Sequence, residues 1–186
     1  MNPEDPEYSI TYWLNASDII VNIGPGWDDF ALQNNATNLD VTRVIGRKLL
    51  NFVQGDTTKM YVRTILQSAR LTRRPLVRNY RCDSPDQRRF MEMRLSMEDN
   101  GLLKWEHRLL RTENMMRSLS FFPAAGLAAA KCVVRCSMCN RLKSASGWQE
   151  PDVAPLPTPM TGESIPVIYG VCPDCLSTPW RQSDKK

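Results

Sequence analysis

The chain has 186 residues, 42% of them hydrophobic and 24% charged, with a formal net charge of +4. That length suits one domain of about 100–150 residues plus a smaller module and excludes a large multidomain enzyme. The composition is globular rather than disordered or fibrous, and no apolar run approaches the roughly 18 residues of a spanning helix.

The acidic stretch Met1–Ile10 has no apolar core, so it does not read as a secretory signal. The expectation is therefore a cytoplasmic, reducing setting without membrane contact. There, six cysteines suggest metal binding or reactive thiols rather than disulfides. Charge is uneven along the chain. Residues 1–60 carry 4 basic and 8 acidic side chains, residues 61–118 carry 13 and 7, and residues 119–186 carry 7 and 5. A basic middle segment is either a solvated face or a surface for an anionic partner.

In chain order, Ile10–Leu14 and Asp18–Ile23 are β-prone runs separated by a turn at Asn15–Ser17. Gly24-Pro25-Gly26 ends the second, and Trp27–Leu32 reads as a short helix. Val41, Val44, Ile45, Leu49, Leu50 and Val53 recur at helical spacing and predict a helix over 41–53. A second amphipathic helix, N-capped by Asp56, carries Met60, Val62, Ile65, Leu66 and Ala69 and stops before Pro75.

The period then changes to two. Leu76, Arg78, Tyr80 and Cys82 alternate with Val77, Asn79 and Arg81. Met91, Met93, Leu95 and Met97 alternate with Glu92, Arg94 and Ser96. Asn100-Gly101 predicts a hairpin turn, and Leu103, Trp105, His107 and Leu109 share one face of the returning strand. Two strands, several helices and three antiparallel strands make an α+β domain: an antiparallel sheet with helices on one face. Residues 115–131 read as a short helix or packed linker, and the proline-rich 151–166 as a loop.

Two CxxC pairs, Cys136/Cys139 and Cys172/Cys175, are the sharpest chemical signal. Each pair brings two thiolates to one cation. Four thiolates make a closed tetrahedral zinc site with no position open for water, and an iron centre with the same ligands is the competing reading. The 32 residues between the pairs exceed what a minimal ribbon needs. Cys132 is expected to pack beside the site and Cys82 to be a buried small hydrophobe. His107 is the single histidine, which excludes HExxH; it reads as a core histidine of the sheet. Trp13, Trp27, Trp105 and His107 could line a ligand pocket, although aromatics of this kind also serve as plain core. Arg78, Arg81, Arg88, Arg89 and Arg94 are expected on one exposed sheet face. Walker, GxGxxG and GxSxG motifs are absent, so the chain is not expected to be an enzyme.

Asp18–Ile23, Trp27–Ala31, Val44–Val53 and Tyr80–Pro85 with Arg88-Arg89, taken in that order, resemble the PAS domain family over residues 8–113. The cysteine segment with Gly147-Trp148 and Tyr169–Cys175 resembles the zinc-ribbon-like tails that follow sensor domains in bacterial signalling proteins. The resemblance implies a PAS-like sensor domain at 8–113, a linker at 114–131 and a zinc-binding module at 132–180. It also implies a small-molecule, flavin or haem ligand for the sensor, with His107 as the haem candidate, and a protein partner or a homodimer for signal transfer. A zinc-ribbon regulator that binds nucleic acid is the alternative.

Overall fold

The computed structural model describes residues 9–33, 36, 39–124, 132–156 and 164–182. They form a sheet-rich α+β protein with two sheets and few helices. The first sheet has six strands: β1 (Ser9–Leu14), β2 (Ile20–Ile23), β3 (Leu76–Arg81), β4 (Gln87–Met97), β5 (Leu103–Asn114) and β11 (Arg181–Gln182), in the order β11-β3-β4-β5-β1-β2. All its pairings are antiparallel. The second sheet has β6 (Ser120–Pro123), β7 (Val133–Cys136), β8 (Leu142–Ser144), β9 (Gly147–Gln149) and β10 (Ser164–Gly170), in the order β6-β10-β7-β8-β9.

Register explains the first core. Tyr12, Trp105, Leu95 and Leu76 lie side by side across four strands, and Ile10, His107, Met93 and Arg78 form the next row. Alternation puts these rows on one face. The long helix α3 (Asp56–Thr72) packs there through Ile65, Leu66 and Ala69. Glu92, Arg94, Lys104 and Glu106 take the opposite parity and are partly exposed. The helices α1 (Trp27–Gln33), α2 (Val41–Val44) and α3 all fall between β2 and β3. No helix among the described residues is long and apolar enough to cross a membrane.

Several local expectations change. The single helix over 41–53 is instead α2, a left-handed Gly46 (φ +79°) and a 3-10 turn at Leu49–Asn51. Tertiary pairing wins over helical periodicity here. The Gly46 N–H donates to Ile20 O, and the Ile20 N–H donates to Arg47 O, so β2 claims the backbone that a helix would need. Asp56 is the first residue of α3 rather than its cap; Gly55 is the N-cap. Residues 120–123 form β6, parallel to β10, where a helix or linker is predicted; residues 125–131 lie outside the described part. The predicted loop at 151–166 ends early, because β10 already starts at Ser164.

The arginines do not form one exposed face. Arg78 lies in a core row at 4% exposure, and Arg81 is 8% exposed. Arg81 pairs with Asp83 and Glu150, and Arg88 with both carboxylate oxygens of Asp152 at 2.6 Å. The physical reason is parity together with partners. Even-numbered positions of β3 carry Arg78 into the core, while Arg81 is neutralised by the nearby Asp83 together with the distant Glu150, and Arg88 by the distant Asp152.

Candidate metal centre

The four cysteines converge because β7 and β10 run parallel. Gly170 stands opposite Cys136, so both strands end at the same edge. Cys136 closes β7, and a tight turn with Asn140 at φ +61° brings Cys139 back. Beyond β10, Cys172 caps the short helix α4 (Pro173–Ser177), and Cys175 lies one turn on, with Pro173 in the first turn. All four Sγ atoms lie within 4.8 Å of one another. The Cys139–Cys172 separation is 3.7 Å, close to the ~3.8 Å edge of a tetrahedron with Zn–S bonds of about 2.3 Å.

Backbone N–H groups aim at these sulfurs. Met138 and Cys172 both donate to Cys136 Sγ, at 3.4 and 3.3 Å, and Cys175 donates to Cys172 Sγ at 3.4 Å. Thiol donors from Cys139 and Cys175 hold Cys136 well below the usual thiol range. The crowding of sulfurs, with Cys136 first, pushes Cys139 up to about 12 and Cys175 higher still. Four sulfurs at this spacing cannot all ionise without a compensating cation. The donor set and spacing therefore fit a tetrahedral metal ion such as zinc. Cys132 is half-buried and lies outside the tetrad. Cys82, one residue past β3, also lies outside the tetrad, its thiol pushed up by burial.

The centre is part of one continuous core with the first sheet. Cys136, Met138, Val171 and Cys172 cluster with Leu14, Leu66, Leu95 and Trp105. The Arg81 N–H donates to Met138 O at 2.8 Å, and β11, just past α4, pairs with β3. Arg78 donates to the carbonyls of Thr178 (2.8 Å) and Cys175. Its guanidinium also lies over Tyr61 and Trp180, 5.6 and 5.7 Å from the ring centroids. Arg78 is the residue that sequence reasoning missed. An arginine at a core-facing position of a strand was the available signal, since such a charge requires acceptors.

The proposed pocket residues divide. Trp105, His107 and Trp27 meet around Tyr12, with ring centroids 5.8, 5.6 and 6.0 Å from it. Trp13 faces the other way, under the Lys104 ammonium. Both His107 ring nitrogens are engaged, Nδ1 by the Tyr80 hydroxyl at 2.8 Å and Nε2 by the Tyr12 hydroxyl at 3.3 Å. Two clefts flank the metal centre. One of about 490 Å³ runs along Val77–Arg81, Phe90, Cys139 and Cys175, and one of about 320 Å³ lies near Thr58 and Arg135. Neither is lined by the three tryptophans or His107.

Burial lowers the His107 pKa to about 3. An ordinary histidine in the unfolded chain titrates near ~6.5, so between those values the unfolded state binds the extra proton. Stability should therefore fall as pH drops below ~6.5, by up to ~1.4 kcal/mol per unit. Protons also compete with zinc for the thiolates as pH falls, so with one histidine in the chain the part of the slope that is lost on removing it reports on this group. Urea denaturation of zinc-loaded protein at pH 7, 6 and 5 should show the slope, and His107→Gln should flatten it. Equal slopes in both proteins would show that His107 is accessible to protons in the fold.

Compared with known protein families and curated proteins, the chain matches no family model and no curated sequence.

Proposed function

We propose that the chain is a PAS-like regulatory module with a structural zinc ion and no catalytic output. The sheet domain would receive a small ligand or a protein partner and pass the signal by contact, through that partner or a homodimer. The observation that carries this reading is the placement of four thiols, all within 4.8 Å, inside the core that also holds the first sheet. Zinc there would compensate the thiolates and tie the Cys136–Cys139 turn to α4. With four thiolate ligands no coordination position is open for substrate, which argues for a structural role. The element order, two strands, helices, then three antiparallel strands, supports the PAS-like assignment.

The nucleic-acid alternative is weakened by the arginines. Arg70, Arg81, Arg88 and Arg108 all hold carboxylates of this chain. They are less available to phosphates than the sequence suggests.

Metal analysis, a visible spectrum and binding to random duplex DNA test the reading on one preparation. The expected result is one zinc per chain, no visible absorption and no DNA binding at low salt. Iron in place of zinc would overturn the metal assignment. A Soret or flavin band would replace the colourless pocket with a pigment-based sensor. DNA binding that weakens steeply with salt would favour the nucleic-acid regulator.

A further inference from the structure

We propose that the cleft between the start of α3 and the β7–β10 pair binds an oxyanion, the carboxylate or phosphate group of a small ligand. The proposal rests on the receptor reading above and names its ligand class.

The cleft holds about 320 Å³, and its walls include Gln54, Thr58, Arg81, Arg135, Ser137 and Tyr169. Arg135 is the decisive residue. It is 9% exposed, and among the described residues it forms no ion pair. Its Nε–H has no acceptor. The charge meets the Phe121 ring, 4.1 Å from the guanidinium carbon, the Tyr169 hydroxyl and, through space, the Asp83 carboxylate, which Arg81 already pairs. A buried cation without an anion is costly, and the side edge of a guanidinium offers two parallel N–H donors suited to a carboxylate or phosphate.

The rest of the wall is complementary. Arg81 is already taken by Asp83 and Glu150. Asp83 is the one acidic residue lining the cleft, and its carboxylate is held by Arg81, which leaves Arg135 as the cleft cation with no ion pair among the described residues. The Thr58 and Ser137 hydroxyls lie 2.7 Å apart, so one donates to the other and one O–H is left to donate to a ligand. The 17-residue α3 begins here, and its N-cap Gly55 has no side chain to occupy the first-turn N–H groups. Gly55 has φ +79°, and a Cβ on it would stand 2.6 Å from Tyr169 O. Glycine thus lets the helix start press against β10, beside the arginine. A cleft of this size takes a small metabolite rather than a haem or a dinucleotide.

The test uses the full zinc-loaded chain, titrated with sodium phosphate and with sodium succinate against sodium chloride at equal ionic strength. Thermal melting and calorimetry provide the readouts, and zinc content is measured on each sample. The expected result is a saturable rise in melting temperature with phosphate or succinate that chloride does not produce. The stronger arm identifies the oxyanion. Arg135→Gln should weaken the response roughly tenfold or more. Thr58→Val, which keeps the side-chain shape, should weaken it roughly threefold; it decides the matter if Arg135→Gln does not fold. No response from wild-type protein carrying one zinc would overturn the anion site and leave the zinc reading standing. An undiminished response in both variants would also overturn it. Protein without zinc that still responds would overturn the zinc reading alone.

Discussion

Cys136→Ser is expected to lose stoichiometric zinc and at least ~3 kcal/mol of stability, or to be insoluble. Cys136 is fully buried, and its sulfur accepts N–H groups from both knuckles, Met138 on one and Cys172 on the other. A serine oxygen is a shorter and harder donor, poorly matched to a site built for four soft ligands. The loss should reach the first sheet, because Cys136 shares a core with Leu66, Leu95 and Trp105. Urea denaturation followed by tryptophan fluorescence, with zinc measured on the same samples, checks this. Cys132→Ser, outside the tetrad, should keep its zinc and its midpoint. An unchanged midpoint for Cys136→Ser would refute the structural role.

Trp105→Ala should cost roughly 3–5 kcal/mol. Trp105 is 4% exposed, on the inner strand β5, and flanked by Leu95 and Tyr12 in its row. It also stacks on His107, with centroids 5.5 Å apart. Removing the indole leaves a cavity under α3, against Leu66 and Ala69 of the same core. Trp105→Phe should cost much less, since most of the packing survives and the indole N–H has no acceptor among the described residues. Equilibrium unfolding of both variants separates these effects. A loss below ~1 kcal/mol for the alanine variant would mean that the cluster is loosely packed.

Much of the first sheet was readable from local pattern. Period-two alternation over 91–97 and 103–109 separated the buried positions from the partly exposed ones, and Asn100-Gly101 marked the turn. The amphipathic stripe of α3 was equally plain. The four-cysteine cluster was readable because paired CxxC spacing already groups sulfurs for one cation. What stayed hidden depends on distant pairing. Nothing local to 120–123 or 164–170 announces the parallel contacts of β6 and β7 with β10, since such pairs are joined by long connections. The break at Gly46 arises from hydrogen bonds to β2, outside any sequence window. The arginines were misassigned for the same reason. Glu150 and Asp152, which hold Arg81 and Arg88, lie 69 and 64 positions away, and the Arg78 acceptors are the carbonyls of Cys175 and Thr178.

The central claim is that the cysteine site and the first sheet form one cooperative unit. Chelator-induced unfolding tests it most directly, followed by amide hydrogen exchange at β3–β5 and at β7–β10. The account predicts that removing the metal raises exchange in both sheets together, because Cys136 and Cys172 sit in the core that Trp105 and Leu95 share. Exchange that rises only around β7–β10, with β3–β5 still protected, would contradict it and make the cysteine module an independent appendage.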